Sequence, residues 1–206
     1  MTREEELEII GRVQQGDANA FELLVLEYEK NVFNLALRMM KNREDAMDAA
    51  QDAFLKAYNS IDNFRGDSKF SVWLYRIVSN VCLDALRIRS RRAENSLSVE
   101  DDEGDETQLD IPDEDLSPQT LLERKLSIEA VRRGLDSLPR DHRQILLLRE
   151  IQGLSYEEIG QILDLEPGTV KSRIFRARKK LCAFLIRDGN IPDSYSSGKM
   201  KGGDAG

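Results

Sequence analysis

From Leu154 to Leu181 the chain reads LSYEEIGQILDLEPGTVKSRIFRARKKL, and few structures can accommodate it. Ser155 with Glu158 three residues on forms a capping box, which starts a helix. Ile159, Ile162 and Leu163 give that helix one apolar stripe. Asp164 to Glu166 is too short and polar to be more than a turn, and Pro167 suits the first position of a new helix, where its missing N–H costs nothing. In the second helix Val170, Ile174, Ala177 and Leu181 share one face. Its other face carries Lys171, Ser172, Phe175, Arg176, Arg178 and Lys179. Between Pro167 and Arg187 there are seven basic residues and no acidic one.

A short helix, a tight turn and a second helix with one-sided positive charge describe a helix-turn-helix. Its second helix suits the DNA major groove, where Lys and Arg neutralise phosphates and Arg can fork onto a guanine edge. A solvated basic face on an ordinary helical hairpin is the plainer alternative. Lys171 and Arg178, with Arg149 from the preceding helix, are placed as phosphate contacts. Ser172 and Arg176 share one outward row and are nearest to base edges, Phe175 can meet a thymine methyl or sugar edge, and Thr169 belongs to the same DNA-facing surface.

The remaining elements are also helical. Thr2 and Glu5 form another capping box, and the helix it starts ends at Gly16. A second helix, from about Asn19 to Met40, carries Phe21, Leu24, Val25, Tyr28, Val32, Leu35, Ala36 and Met39 inward. Asn42 caps a third, which reaches Ile61 on a face of small alanines. After a loop, Asp62 to Asp67, Ser68 is expected to cap a fourth helix with Phe70, Trp73, Leu74, Ile77 and Val81 on its stripe. That helix ends in Arg87, Arg89, Arg91 and Arg92, which suit either the helix C-terminal dipole or nearby DNA backbone. Ser117-Pro118 opens a helix with Leu121, Leu122, Leu126, Val131 and Leu135, and a short helix from Asp141 to Glu150 leads to the helix-turn-helix. The expectation is an all-α chain of two small helical domains, 1–92 and 117–187, with a flexible acidic linker at 93–116 and a flexible tail at 188–206.

The net charge of −8 suits a DNA binder only once it is divided along the chain. Residues 1–92 are net −1, residues 93–123 carry 12 acids and no base, and residues 124–206 are net +5. The acidic excess thus sits in one segment, which its composition marks as unable to fold alone. Cys82 and Cys182 are single thiols, and with His142 they make no zinc-ligand pattern. No metal, cofactor or catalytic constellation is expected, so the chain reads as a binding factor and not an enzyme. The acidic start MTREEELEII does not resemble a secretion signal and no apolar run approaches bilayer length. A cytoplasmic protein with no direct membrane insertion is expected.

LREIQGLSYEEIGQIL followed by GTVKSRIFRARKKL resembles the promoter minus-35-binding domain of the extracytoplasmic-function (ECF) sigma factors, notably their sigma-E-like group. FRGDSKFSVWLYRIVSN, residues 64–80, resembles the same family's minus-10-binding domain. The resemblance implies a factor that brings core RNA polymerase to promoter DNA, touching the largest-subunit clamp helices and the beta flap. It also implies an anti-sigma partner and a stress- or envelope-related signal. The mixed aromatic and basic loop of Phe64, Arg65, Lys69, Trp73, Tyr75 and Arg76, with Asn80, would hold the opened minus-10 strand by stacking and backbone neutralisation; packing in the core is the plainer role for Trp73. By resemblance Asp48, Gln51, Asp52 and Phe54 dock on the polymerase, although a solvated face explains the polar three equally well.

Overall fold

The computed structural model describes residues 1–95 and 118–191, with backbone alone at 93–95 and 118–123. Among the described residues there are eight α-helices and no strand. By internal packing the chain divides into two compact units, Met1–Gln108 with Leu147–Val170, and Leu109–Leu146 with Lys171–Gly206.

The first unit is built on α1 (Arg3–Gln14), α2 (Ala20–Met40), α3 (Arg43–Asn59) and α4 (Phe70–Asn95). Thr2 and Glu5 form the expected capping box, Thr2 Oγ1 accepting the Glu5 amide at 3.2 Å and Glu5 Oε2 the Thr2 amide at 2.8 Å. Lys41 closes α2 in the left-handed region at φ +64°, and Asn42 Oδ1 caps α3 through the Asp45 amide at 3.0 Å. α3 presents Ala46, Ala49, Ala50, Ala53 and Ala57, all buried, and small side chains let α2 and α4 pack close against it. Leu24, Val32, Leu35, Phe70, Leu74 and Val78 fill the core. A 3₁₀ turn, Ile61–Asn63, leads from α3 toward α4.

Two expectations for this unit are corrected. Ser68 does not cap α4: its Oγ donates to the Lys69 carbonyl at 3.3 Å, and the amide of Phe70 is accepted instead by Glu6 Oε2 of α1 at 3.4 Å. α4 also runs on to Asn95, three residues into the segment expected to be linker. The rest of that segment, and the tail from residue 192, lie outside the described residues.

A π-helical turn, Leu147–Ile151, precedes α7 (Tyr156–Leu163) and the start of α8 (Pro167–Arg187). The first unit ends within α8, at Val170. In the second unit, α5 (Pro118–Asp136) and α6 (Arg140–Leu146) accompany α8 from Lys171 on. Leu126 and Val131, named among the apolar residues of α5, are exposed. Ala130 and Gly134 are buried in their place. A Cβ at Gly134 would stand 2.6 Å from Leu181 Cδ1 and 3.1 Å from Phe184 Cδ1, so α8 packs here against α5 backbone. Arg143 is buried and binds the end of α5, Nε donating to the Leu135 carbonyl at 3.0 Å and Nη2 to that of Asp136 at 2.8 Å. These are carbonyls that a helix C-terminus leaves without intrahelical donors.

Candidate nucleic-acid interface

The helix-turn-helix is fixed by local chemistry. Ser155 and Glu158 form the reciprocal capping box at the start of α7. Asp164 ends α7 in the left-handed region at φ +54°, and the Leu165 amide returns to the Gly160 carbonyl at 3.0 Å. A Cβ on Gly160 would lie 2.6 Å from the Leu165 carbonyl oxygen, so this turn requires glycine. Pro167 is the first residue of α8, as expected, and Glu166 O accepts the amides of Thr169 and Val170 at 2.8 and 3.0 Å.

Along α8 Val170, Ile174 and Ala177 are buried and Leu181 is half-buried. Thr169, Lys171, Ser172, Phe175 and Arg176 are exposed, Phe175 at 54%. Arg178 is half-buried. A large exposed aromatic among basic groups on one helix face suits a nucleic-acid groove. Arg149 is already engaged: Nη1 donates to the Leu154 carbonyl at 2.6 Å, and the guanidinium lies 4.9 Å from the Tyr156 ring centroid. It secures the entry to α7 as well as offering charge. His142 is the only histidine in the chain. Burial and the charges of Lys180, Arg173 and Arg176 hold its imidazole below the usual value, against an opposing pull from Asp141.

The second candidate surface surrounds the loop before α4. A cleft of about 250 Å³ is lined by Phe64, Arg65, Asp67, Trp73 and Arg76, among others, with Gln161 of α7. Its mixed lining of aromatic, arginine and aspartate side chains suits one polar planar group better than an apolar ligand. Arg65, Lys69, Arg76 and Asn80 are exposed, and Arg76 and Asn80 stand one turn apart on α4. Lys69 Nζ lies 2.9 Å from Glu158 Oε1. Asn80 is not part of the cleft lining.

Phe70 and Trp73 are core, as their place on the α4 stripe predicts, while Phe64 and Tyr75 are buried where contact with the strand is expected. Phe64, Phe70 and Trp73 form a mutual cluster with ring centroids 5.5 to 5.6 Å apart, and Tyr28 joins at 5.6 Å from Phe70. Phe64 and Trp73 line the cleft but are only 6% and 9% exposed. Tyr75 is buried, which pushes its phenol up to about 12. It supports the core and offers no face to a base. Sequence reading missed Gln161, Glu6 and Gln14, which meet the loop from far along the chain; no local pattern marks them.

On α3, Asp48, Gln51 and Asp52 are exposed and Phe54 is half-buried. Met47 and Leu55, 45% and 61% exposed, flank Gln51 at i−4 and i+4 and add apolar area to the same row. Among the described residues no group of His, Cys, Asp or Glu could hold a metal ion, and no helix is long and apolar enough to cross a membrane. Cys82 is free and buried, its thiol pushed up to about 12 by burial, and Cys182 is free and half-buried.

Residues 24–92 match Sigma-70 region 2, and residues 128–181 match Sigma-70, region 4. The chain is 42% identical to the RNA polymerase sigma-H factor of Pseudomonas aeruginosa, over 88% of this chain and 94% of the relative. It is also 42% identical to the ECF RNA polymerase sigma-E factor of Escherichia coli K12, over 84% and 90% respectively. A solved complex of the sigma factor RpoE with the anti-sigma factor NepR from Bartonella quintana matches with a TM-score of 0.64 at 27% identity, covering 82% of this chain and 98% of that one. CnrH, solved with the cytosolic domain of CnrY, matches at 0.63 and 26%, covering 87% and 96%. With the two regions in this order, and with this identity over most of its length, the chain belongs to the ECF sigma factors of the sigma-70 family.

Proposed function

We propose that this chain binds core RNA polymerase and directs promoter-specific initiation, with residues 1–92 reading the minus-10 element and residues 117–187 the minus-35 element. The observation that carries this is the division of α8: a buried row of Val170, Ile174 and Ala177, backed by an exposed row of Lys171, Ser172, Phe175 and Arg176. Arg65, Lys69 and Arg76 around the cleft are suited to a single strand, their charges on its backbone and the cleft on an unstacked base. Asp48, Gln51 and Asp52 offer carboxylates and an amide to a basic partner helix, the largest-subunit clamp helices by family likeness.

The spacing of two promoter elements supports a separate role for the acidic segment. One and a half to two turns of duplex span roughly 50–70 Å. A 22-residue coil averages about 26 Å but reaches about 75 Å when extended. Residues 93–123 carry twelve acids and no base, a charge that opposes contact with DNA phosphates. The protein is cytoplasmic in this reading, and the likeness to a sigma factor solved with its anti-sigma factor favours an anti-sigma factor as its third partner.

Run-off transcription with purified core polymerase tests the proposal. Promoter-dependent transcripts that require both elements are expected. Specific binding to duplex DNA with no transcript from any promoter would favour a stand-alone helix-turn-helix regulator instead.

A further inference from the structure

The loop from Ile61 to Phe70 takes its shape largely from α1, an element that lies outside the matched region beginning at residue 24. Gln14 Nε2 donates to two loop carbonyls, Ile61 at 2.9 Å and Phe64 at 3.0 Å. Arg3 Nη2 donates to the Gly66 carbonyl at 3.3 Å. Leu7 Cδ2 sits 3.5 Å from where a Cβ on Gly66 would be, at a glycine with φ +78°. Glu6, buried, accepts the amide of Phe70 at the start of α4 with Oε2, and its Oε1 accepts the Tyr28 hydroxyl. Residues 3, 7 and 14 follow helical spacing, so one face of α1 meets the loop at Ile61, Phe64 and Gly66, and Glu6 beside that face holds its end at Phe70.

The loop supplies little of this itself. Its own backbone bonds are those of the 3₁₀ turn, Asn63 to Ser60 and Phe64 to Ile61, both at 3.0 Å. The expected cap, Ser68, does not hold the α4 amide. A charged acceptor from outside replaces it, and a carboxylate at a helix N-terminus is favoured by the aligned peptide dipoles.

We infer that α1 is a positioning element for minus-10 reading, in which Gln14 and Glu6 hold the loop so that Arg65, Lys69 and the cleft face the strand in one fixed arrangement. This rests on the assignment of that loop to the minus-10 strand. Gln14 is at the surface and its loss removes no core packing, so its effect falls on loop geometry and not on global folding. Affinity that depends on a preorganised loop falls when the loop must be ordered on binding.

The test uses the full chain assembled with core polymerase. Gln14→Glu keeps the size of the side chain but removes both N–H donors, and Glu6→Gln weakens the acceptor at Phe70. Transcription is compared on a consensus promoter and on single-base minus-10 variants, alongside core binding and amide exchange of residues 61–70. Gln14→Glu should reduce minus-10 selectivity about tenfold, as loss of one or two hydrogen bonds of ordinary net strength allows. It should speed exchange in the loop and leave core binding and the thermal midpoint nearly unchanged. Core binding and selectivity falling together would mean a merely structural role and would overturn the inference. Arg65→Ala separates the two ways of failing. If it leaves selectivity intact, the loop is not the reader and the functional assignment falls. If it reduces selectivity while Gln14→Glu does not, the positioning role alone is wrong.

Discussion

Ser155 and Glu158 satisfy each other's backbone: Ser155 Oγ accepts the Glu158 amide at 3.1 Å, and Glu158 Oε2 accepts the Ser155 amide at 2.8 Å. Burial alone would push the Glu158 carboxyl up, but the hydrogen bonds from Ser155 and the Lys69 ammonium outweigh it and hold it below the usual range. Its stabilising contribution is therefore complete above the unfolded value of 4.5 and is lost as pH falls through the lower folded value. Ser155→Ala should cost about 1 kcal/mol in denaturant unfolding. Glu158→Gln should flatten the acid limb of the stability profile below pH 4.5; an unchanged profile would show that the pairing does not persist in solution.

Gly160 and Gly168 should respond in opposite directions to alanine. At Gly160 the added methyl meets the Leu165 carbonyl oxygen at 2.6 Å, a backbone atom with little room to move. Overpacking of this kind costs about 1–3 kcal/mol, more than the roughly 1 kcal/mol that alanine gains in a helix. At Gly168 a Cβ meets nothing within 4 Å, and only the gain remains. Thermal unfolding of the two variants should show a fall for Gly160→Ala and a small rise for Gly168→Ala.

Asp48, Gln51 and Asp52 are all exposed on α3. Replacing the three with alanine should leave the thermal midpoint nearly unchanged and weaken core polymerase binding about tenfold or more, measured by competition with a labelled wild-type chain. Unfolding of the triple variant would make these positions structural. Phe54, half-buried, should lose stability as well as binding on truncation.

On α8, Ser172 and Arg176 form one exposed row. Arg176→Ala should cost about 1–3 kcal/mol of discrimination at a single minus-35 position. Lys171→Ala should weaken all sequences alike and lower the salt slope by about one. Equal losses across a panel of single-base variants for Arg176→Ala would show a phosphate contact instead.

His142 offers a spectroscopic check on the same surface. Free, its imidazole should titrate below 6.5, because burial and the cations Lys180, Arg173 and Arg176 disfavour its charged form. Any stability it costs appears as pH falls below the unfolded value. Minus-35 duplex bound to α8 partly neutralises those cations, so the histidine resonances of the bound chain should titrate at higher pH. No change on saturation with duplex would place the DNA elsewhere.

What was legible in the sequence was what neighbouring residues decide. The capping boxes at Thr2 and Ser155, the Asn42 cap and the start of α8 at Pro167 each depend on residues within a turn. The errors come from distance. Ser68 is a good local cap, but Glu6, 64 residues away, takes the Phe70 amide. Leu126 and Val131 draw attention as large apolar residues, whereas the packed face of α5 is made by Ala130 and Gly134, whose smallness lets Leu181 and Phe184 approach. Tyr75 sits among residues of mixed character, and only the packing around α4 decides that its ring points inward.

The grip of α1 on the recognition loop bears on how such a loop can be moved between proteins. Gln14 reaches carbonyls 47 and 50 residues further on, and Arg3 and Glu6 reach 63 and 64 residues on, spans whose closure carries a large loop entropy. The loop is consequently not a portable module. A synthetic peptide spanning residues 61–80 lacks the donors that shape it. A chimera that exchanges only the loop leaves the recipient's first helix holding carbonyls it was not matched to. On the minus-10 role proposed for this loop, transferring base preference intact requires the first helix and the loop to travel together, as a pair separated in sequence and inseparable in use.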